Sequence, residues 1–157
     1  MGITVRDLMN VEYFRDFKVI AGHKGLNREI QGVTVADAPD GYRWKTEKEI
    51  CFSSGYVFAN NPDFINGMFQ GESQLSALVI KRGRYLEEIP DYIVRLCESQ
   101  DVPLITMPYG IPWMEAINQV YVAVIFWRCA GWSRCSRLCS RCSAVPASMR
   151  CSCCSSA

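Results

Sequence analysis

Hydrophobic positions in the first 125 residues follow two rhythms, short β-branched runs and longer stretches with a helical repeat, punctuated by Gly, Pro and Asn. At the start, Thr4-Val5-Arg6-Asp7 has the spacing of a capping box, with Thr4 closing a helix and Asp7 reaching back to free amides. Lys18-Val19-Ile20-Ala21 and Val33-Thr34-Val35-Ala36 predict strands, separated by Gly22, Gly25 and Asn27, which suit turns. After a polar stretch rich in Lys and Glu, the strand-like runs Ile50–Ser53, Ala77–Ile80 and Val102–Thr106 alternate with two helical ones. The first helix is opened by Asn61 and Pro62 and puts Phe64, Ile65, Met68 and Phe69 on one face. The second is opened by Pro90 and Asp91 and turns Ile93, Val94, Leu96 and Cys97 inward. Strand, helix, strand, helix, strand with short links requires crossovers between parallel neighbours. The expectation is a single α/β domain over residues 1–125, with a mainly parallel sheet flanked by helices. A last amphipathic run, Trp113 to Ile125, carries Trp113, Met114, Ile117, Val120, Tyr121 and Val124 at helical spacing and predicts a helix leading toward the rest of a longer protein.

Composition divides the chain in two. The whole has 157 residues, 49% hydrophobic and 21% charged, as in ordinary globular proteins, and a net charge of +1. Residues 1–125 hold all sixteen acids but only twelve of the seventeen Lys and Arg, so the body stands at −4. Such a body has no general electrostatic reason to bind nucleic acid, which requires a basic surface. The N-terminal residues lack the pattern of a secretory signal, and the longest apolar run, Val120 to Trp127, is less than half of the ~20 residues a membrane helix needs. Met1-Gly2 is followed by Arg6 where a myristoylation motif wants Ser or Thr. A cytoplasmic protein with no membrane partner is expected.

From residue 126 the sequence becomes a tail of Cys, Ser and Arg echoes with no acid, and it holds seven of the nine cysteines. Three origins compete for it. Cys139-x-x-Cys142 with Cys151 or Cys153 offers sulfur ligands, but no His and no second well-spaced pair completes a zinc pattern. A disulfide framework does not suit an intracellular chain with an ordinary core. The third, a frameshift or an engineered junction, accounts best for the missing apolar period, caps and balanced charge. On each reading the tail is expected to be disordered.

In an open parallel sheet, ligands bind beyond the carboxyl ends of the strands. The loops at those ends are Asp37-Ala38-Pro39-Asp40, Ser53-Ser54-Gly55-Tyr56, Lys81-Arg82-Gly83-Arg84-Tyr85 and Met107-Pro108-Tyr109-Gly110. They would assemble hydroxyls, cations, carboxylates and aromatic rings suited to a small planar or anionic ligand. Asp37, Ser53, Ser54, Gly55, Tyr56, Lys81, Arg82 and Arg84 are the candidate binding residues. The competing structural reading is that Ser53 and Ser54 cap turns while Lys81, Arg82 and Arg84 form a solvated surface paired with Glu87 and Glu88. His23, the single histidine, sits between Gly22 and Lys24 as a solvated turn residue, and Cys51 and Cys97 fall on apolar faces as core residues, Cys51 being reactive only if exposed. No phosphate loop, dinucleotide fingerprint or metalloprotease motif occurs, so no catalytic residue, cofactor or metal is implied.

Five segments stand out in order: Gly22-x-x-Gly25-Leu26-Asn27-Arg28; Val33 to Asp40; Glu49 to Tyr56; Lys81 to Leu86 with Ile89-Pro90; and Pro103 to Pro108. Together they resemble the N-terminal domain of the purine catabolism regulator (PucR) family. Phe52-Ser53-Ser54-Gly55 stands where the family usually has a Leu-Thr-Thr-Gly-like run, a change that keeps hydroxyls and glycine. The resemblance implies the sensory input domain of a bacterial transcription regulator of purine or related nitrogen catabolism. It also implies that DNA is contacted only through a C-terminal helix-turn-helix domain absent here, so the chain is expected to be truncated. Three functions follow as expectations. The first is a module that binds a small effector. The second is a ligand-free dimerisation domain using Trp113, Met114, Ile117, Val120 and Tyr121, all expected to be exposed, in a homo-oligomer. The third, and weakest, is a small metabolic enzyme acting through Lys81 and Arg84.

Overall fold

The computed structural model describes residues 2–44, 46–70 and 75–132. The zinc, disulfide and reading-frame readings of Cys135 to Cys154 lie outside the described residues. Among the described residues there are seven strands: β1 (Ile3–Thr4), β2 (Lys18–Ala21), β3 (Glu29–Ile30), β4 (Gly32–Val35), β5 (Glu49–Ser53), β6 (Ala77–Lys81) and β7 (Leu104–Met107). The helices are α1 (Val5–Met9), α2 (Tyr56–Asn60), α3 (Phe64–Phe69), α4 (Asp91–Ser99) and α5 (Trp113–Trp132). The main sheet has the order β2-β7-β6-β5-β4, while β1 and β3 form a small antiparallel pair. Strands β4 to β7 are mutually parallel, as the alternating pattern predicts, and β2 joins β7 antiparallel at one edge.

Burial on both faces explains the nearly continuous apolar runs of the central strands. Alternate residues Ile50, Phe52, Ala77, Val79, Ile105 and Met107 point to one side, where they pack with Leu8 of α1, Phe14, Phe17, and Ala116, Val120 and Val124 of α5. Cys51, Leu78, Ile80 and Leu104 point to the other and meet Val57 and Phe58 of α2, Phe64, Ile65 and Met68 of α3, and Ile93 and Cys97 of α4. Each fully buried large apolar side chain contributes about 1.5–3 kcal/mol. The ion pairs of Arg15 with Glu12 and Asp16, and of Lys48 with Glu29, lie at the surface, where such pairs contribute about 0–1 kcal/mol. The two apolar layers therefore hold the domain together.

Local signals set the element ends. Thr4 and Asp7 form the expected reciprocal cap on α1: the Asp7 amide donates to the Thr4 hydroxyl, and the Thr4 amide donates to the Asp7 carboxylate. The helix expected after Asn61 and Pro62 is α3, and a further short helix, α2, precedes it where a loop was expected. Gly55, with φ of +87°, lets the chain turn out of β5 directly into α2. Pro62 then forbids continuation, since the residue before a proline is held extended, and Asn61 has φ −142° and ψ 87°.

The Gly22-x-x-Gly25-Leu26-Asn27-Arg28 segment is a clasp. Gly22 has φ of +67°, and a Cβ there would overlap the Val102 carbonyl; one on Gly25 would overlap the Asp101 carbonyl. The Gly22 amide donates to the Glu98 carboxylate at the end of α4. Arg28 spreads its guanidinium over three backbone carbonyls, Nε to Asp101 at 2.8 Å, Nη2 to Gln100 at 2.8 Å and Nη1 to Leu75 at 3.0 Å. These bonds fasten the turn between α4 and β7, where Asp101 adopts a left-handed φ of 51°. Arg28→Ala is expected to lower the urea-unfolding free energy by roughly 2–3 kcal/mol, because three carbonyls lose a charged donor. Arg28→Lys should restore only part of that stability, since a single ammonium cannot span the three acceptors.

Candidate functional site

The parallel register brings the four expected loops to one edge. Val35 of β4 pairs with Phe52, Ser53 of β5 with Ile80, and Lys81 of β6 with Met107, so each loop begins within one or two residues of its neighbour's level. The hydroxyl-glycine turn and the cationic turn leave adjacent strands on the same side of the molecule and touch. Gly55 lies so close to Leu86 that a Cβ would press into the leucine side chain. The Tyr56 and Tyr85 rings meet edge to face with centroids 5.1 Å apart.

The serines serve the turn. Ser53 is fully buried, donates to the Ala36 carbonyl at 3.3 Å and accepts from the Gly55 amide at 3.1 Å, tying the ends of β4 and β5 together. Ser54 accepts from the Tyr56 amide at 3.4 Å. Both hydroxyls have the capping partners that the structural reading requires, which leaves Ser53 least able to face a ligand.

The cations behave differently. Lys81 donates from Nζ to the Ile111 carbonyl at 2.7 Å and lies 5.4 Å from the centroid of the Tyr109 ring. Partial burial, followed by the positive charge of Arg84, pushes its pKa below the usual lysine value. The Arg84 guanidinium sits 5.3 Å from the Tyr85 ring centroid. Gly83, with φ of +88°, folds the loop back so that its amide reaches the Leu86 carbonyl at 2.9 Å. Among the described residues, no ion pair joins Lys81, Arg82 or Arg84 to Glu87 or Glu88, so that part of the structural reading is not met. Asp37 and Arg82 are exposed, and neither side chain makes a hydrogen bond or ion pair among the described residues. The edge thus unites Ser54, Gly55, Tyr56, Arg84 and Tyr85 by contact and joins Lys81 to Tyr109 and Ile111. It leaves Asp37 and Arg82 at the rim. Tyr109 belongs to a loop expected at this edge, whereas the contribution of Ile111 was not foreseeable from spacing, because it depends on how the segment after β7 folds over Lys81.

Other candidates take the positions their surroundings dictate. His23 is exposed in a 3-10 turn, His23–Asn27. Cys51 and Cys97 are wholly buried, and burial pushes both thiols up to about 12. The helix expected to present an interaction face is rotated further toward the sheet than its residues suggest. Trp113 and Ile117 pack against the core, Trp113 with its centroid 6.1 Å from that of Phe52, and Val120 is fully buried rather than exposed. Apolar residues surround this helix, so sequence left its phase ambiguous, and contact with β4 and β1 decided it. Met114 and Tyr121 remain exposed, joined by Val122, Ile125, Phe126 and Trp127. No described helix is long and apolar enough to cross a membrane.

These features define a class, an α/β module covered on both faces whose parallel strands open onto one polar edge bearing cations and aromatic rings. Residues 7–124 match the purine catabolism regulatory protein-like family (PucR), and the chain belongs to that family. Over 118 residues it is 30% identical to the purine catabolism regulatory protein of Bacillus subtilis (strain 168), a match covering 74% of this chain and 22% of that relative. The matched part is therefore about a fifth of the relative's length.

The buried thiols yield a direct check. In the native protein Cys51 and Cys97 should react with iodoacetamide at neutral pH at least roughly a hundred-fold more slowly than in urea, because both access and thiolate fraction are suppressed. Peptide mapping by mass spectrometry after timed alkylation reads each site separately.

Proposed function

We propose that this domain is the effector-sensing module of a transcription regulator. A small planar or anionic metabolite of purine or related nitrogen breakdown would bind at the strand-end edge and bias the pose of α5. The domain itself is not an enzyme and acts on DNA only through another part of a longer regulator, in the cytoplasm. The observation that carries this reading is the contact between the Ser54-Gly55-Tyr56 and Arg84-Tyr85-Leu86 turns, beside cations with no acidic partner among the described residues. Arg82 and Arg84 suit an oxyanion, Tyr56 and Tyr85 suit the edge or face of a ring, and Asp37 suits a ring N–H. Ser54 and Gly55 contribute through the shape of the turn and its backbone, Ser53 by fixing that turn from beneath, and Lys81 from the inner side of the cluster. Neutral and anionic purines and their breakdown products, screened by thermal shift and then calorimetry, test the reading. A hit should lose roughly ten-fold or more in affinity in the Arg82→Ala/Arg84→Ala double variant, with the melting temperature of the free protein unchanged. Silence across the panel from a well-folded sample would count against the module as a sensor.

A second reading has its own observation. Met114 is 65% and Ile125 59% exposed on the side of α5 away from the sheet, with Tyr121 and Phe126 beside them. A patch of this kind is a candidate surface for pairing two copies of the regulator. If so, the wild-type chain sediments as a dimer at micromolar concentration and the Tyr121→Glu/Ile125→Lys variant as a monomer. A wild-type protein that stays monomeric at high concentration removes the dimer.

A further inference from the structure

We infer that Lys81 is a positioning residue that couples the strand-end cluster to α5. Its ammonium holds the Ile111 carbonyl just before the helix, and an oxyanion arriving between Lys81 and Arg84 draws the ammonium away and frees the helix start. The inference rests on the effector-site reading for the ligand's place and adds the contact that transmits its arrival.

Three observations carry it. Lys81 is the last residue of β6 and faces the same side of the sheet as α5, and its bond to Ile111 crosses thirty residues of sequence to reach the segment that launches that helix. Ile111 is itself packed on the core beneath α5, and the helix begins immediately afterwards, with the Ala116 amide donating to the Pro112 carbonyl at 3.1 Å. The bond is one the protein makes at a disadvantage. The ammonium is partly desolvated, faces the like charge of Arg84 and has no carboxylate partner among the described residues. It also lies near the positive end of a helix, where cations are disfavoured. A neutral carbonyl is a weaker acceptor for an ammonium than a carboxylate or phosphate oxygen, and an anion here would at once satisfy Lys81 and relieve its repulsion with Arg84. The competition favours the ligand.

Hydrogen exchange of the full chain tests the coupling directly. In Lys81→Met, exchange of the amides of residues 116–120 should rise roughly ten-fold while those of β5 and β6 hold, and Lys81→Arg should restore most of the protection. In the wild-type protein, millimolar inorganic phosphate should speed exchange in the same segment, saturably and beyond any effect of chloride at equal ionic strength, and Lys81→Met should no longer respond. Unchanged protection in Lys81→Met would overturn the inference, as would a wild-type segment that phosphate leaves alone or slows. A phosphate response that persists while the purine panel stays silent would support the coupling and defeat the sensor reading, so the two fail separately.

Discussion

Four parallel strands, of which β5, β6 and β7 are buried on both faces, impose a geometry on which the rest of the domain depends. Because neighbouring strands run the same way, each connection must return across the sheet, and every strand from β4 to β7 ends at the same edge. The interior residues of β5, β6 and β7 are taken up by the two apolar layers except Thr106, whose hydroxyl is occupied in donating to the Lys18 carbonyl of β2. Chemistry is confined to where the strands stop. There the small residues matter for shape: Gly55 and Gly83 let adjacent turns fold back at positive φ, and their closeness brings Tyr56, Leu86 and Tyr85 into contact. The polar edge is thus a consequence of packing, and a change deep in β5 or β6 would disturb it as surely as one on its surface.

At the opposite end, the clasp from Gly22 to Arg28 solves a problem the parallel sheet creates. Strand β2 is antiparallel to β7 and far from it in sequence, so local signals cannot hold it in register. Backbone contact at Gly22 and Gly25 and the Arg28 fork onto the carbonyls of Leu75, Gln100 and Asp101 bind that edge to the turn entering β7. A glycine-rich segment with a following arginine is also the composition of many phosphate-binding loops. Here the donors of Arg28 reach the protein's own backbone, and the glycines are required by close approach of carbonyls.

The sequence carried most of the architecture, and the gaps have physical causes. Central strands were legible because double burial writes them as unbroken apolar runs, and α4 because its apolar residues recur at helical spacing. Five residues of α2 are too few to display a period, and the two-residue strands β1 and β3 have none to display. The direction of β2 depends on a partner more than eighty residues away. The loops at the edge were legible from topology alone, since strand order fixes where they emerge. Which side chains would be free there was not. Ser53 and Ser54 differ by one position, yet pleating buries the first entirely. The apolar residues around α5 could not reveal that Val120 faces inward while Tyr121 faces out.

The electrostatic setting limits how the edge could work. With a net charge of −4 over residues 1–125, the domain exerts no long-range pull on anions, and salt screens exposed charges beyond about 10 Å. Lys81, Arg82 and Arg84 are a local reversal of sign within that field. Selection of a ligand there would have to come from contact, through paired cations and ring edges at hydrogen-bond range. Contact recognition also determines how a signal can leave. A ligand touching only exposed rim residues would have no route into the fold, because rim side chains move without consequence. Lys81 is the exception among these three cations, since among the described residues it alone of them is bonded to the segment before α5. An influence of the edge on the helix would pass either through that bond or through the packed core beneath it, which is stiff and transmits strain without choosing one element, whereas the bond leads to the start of α5 alone.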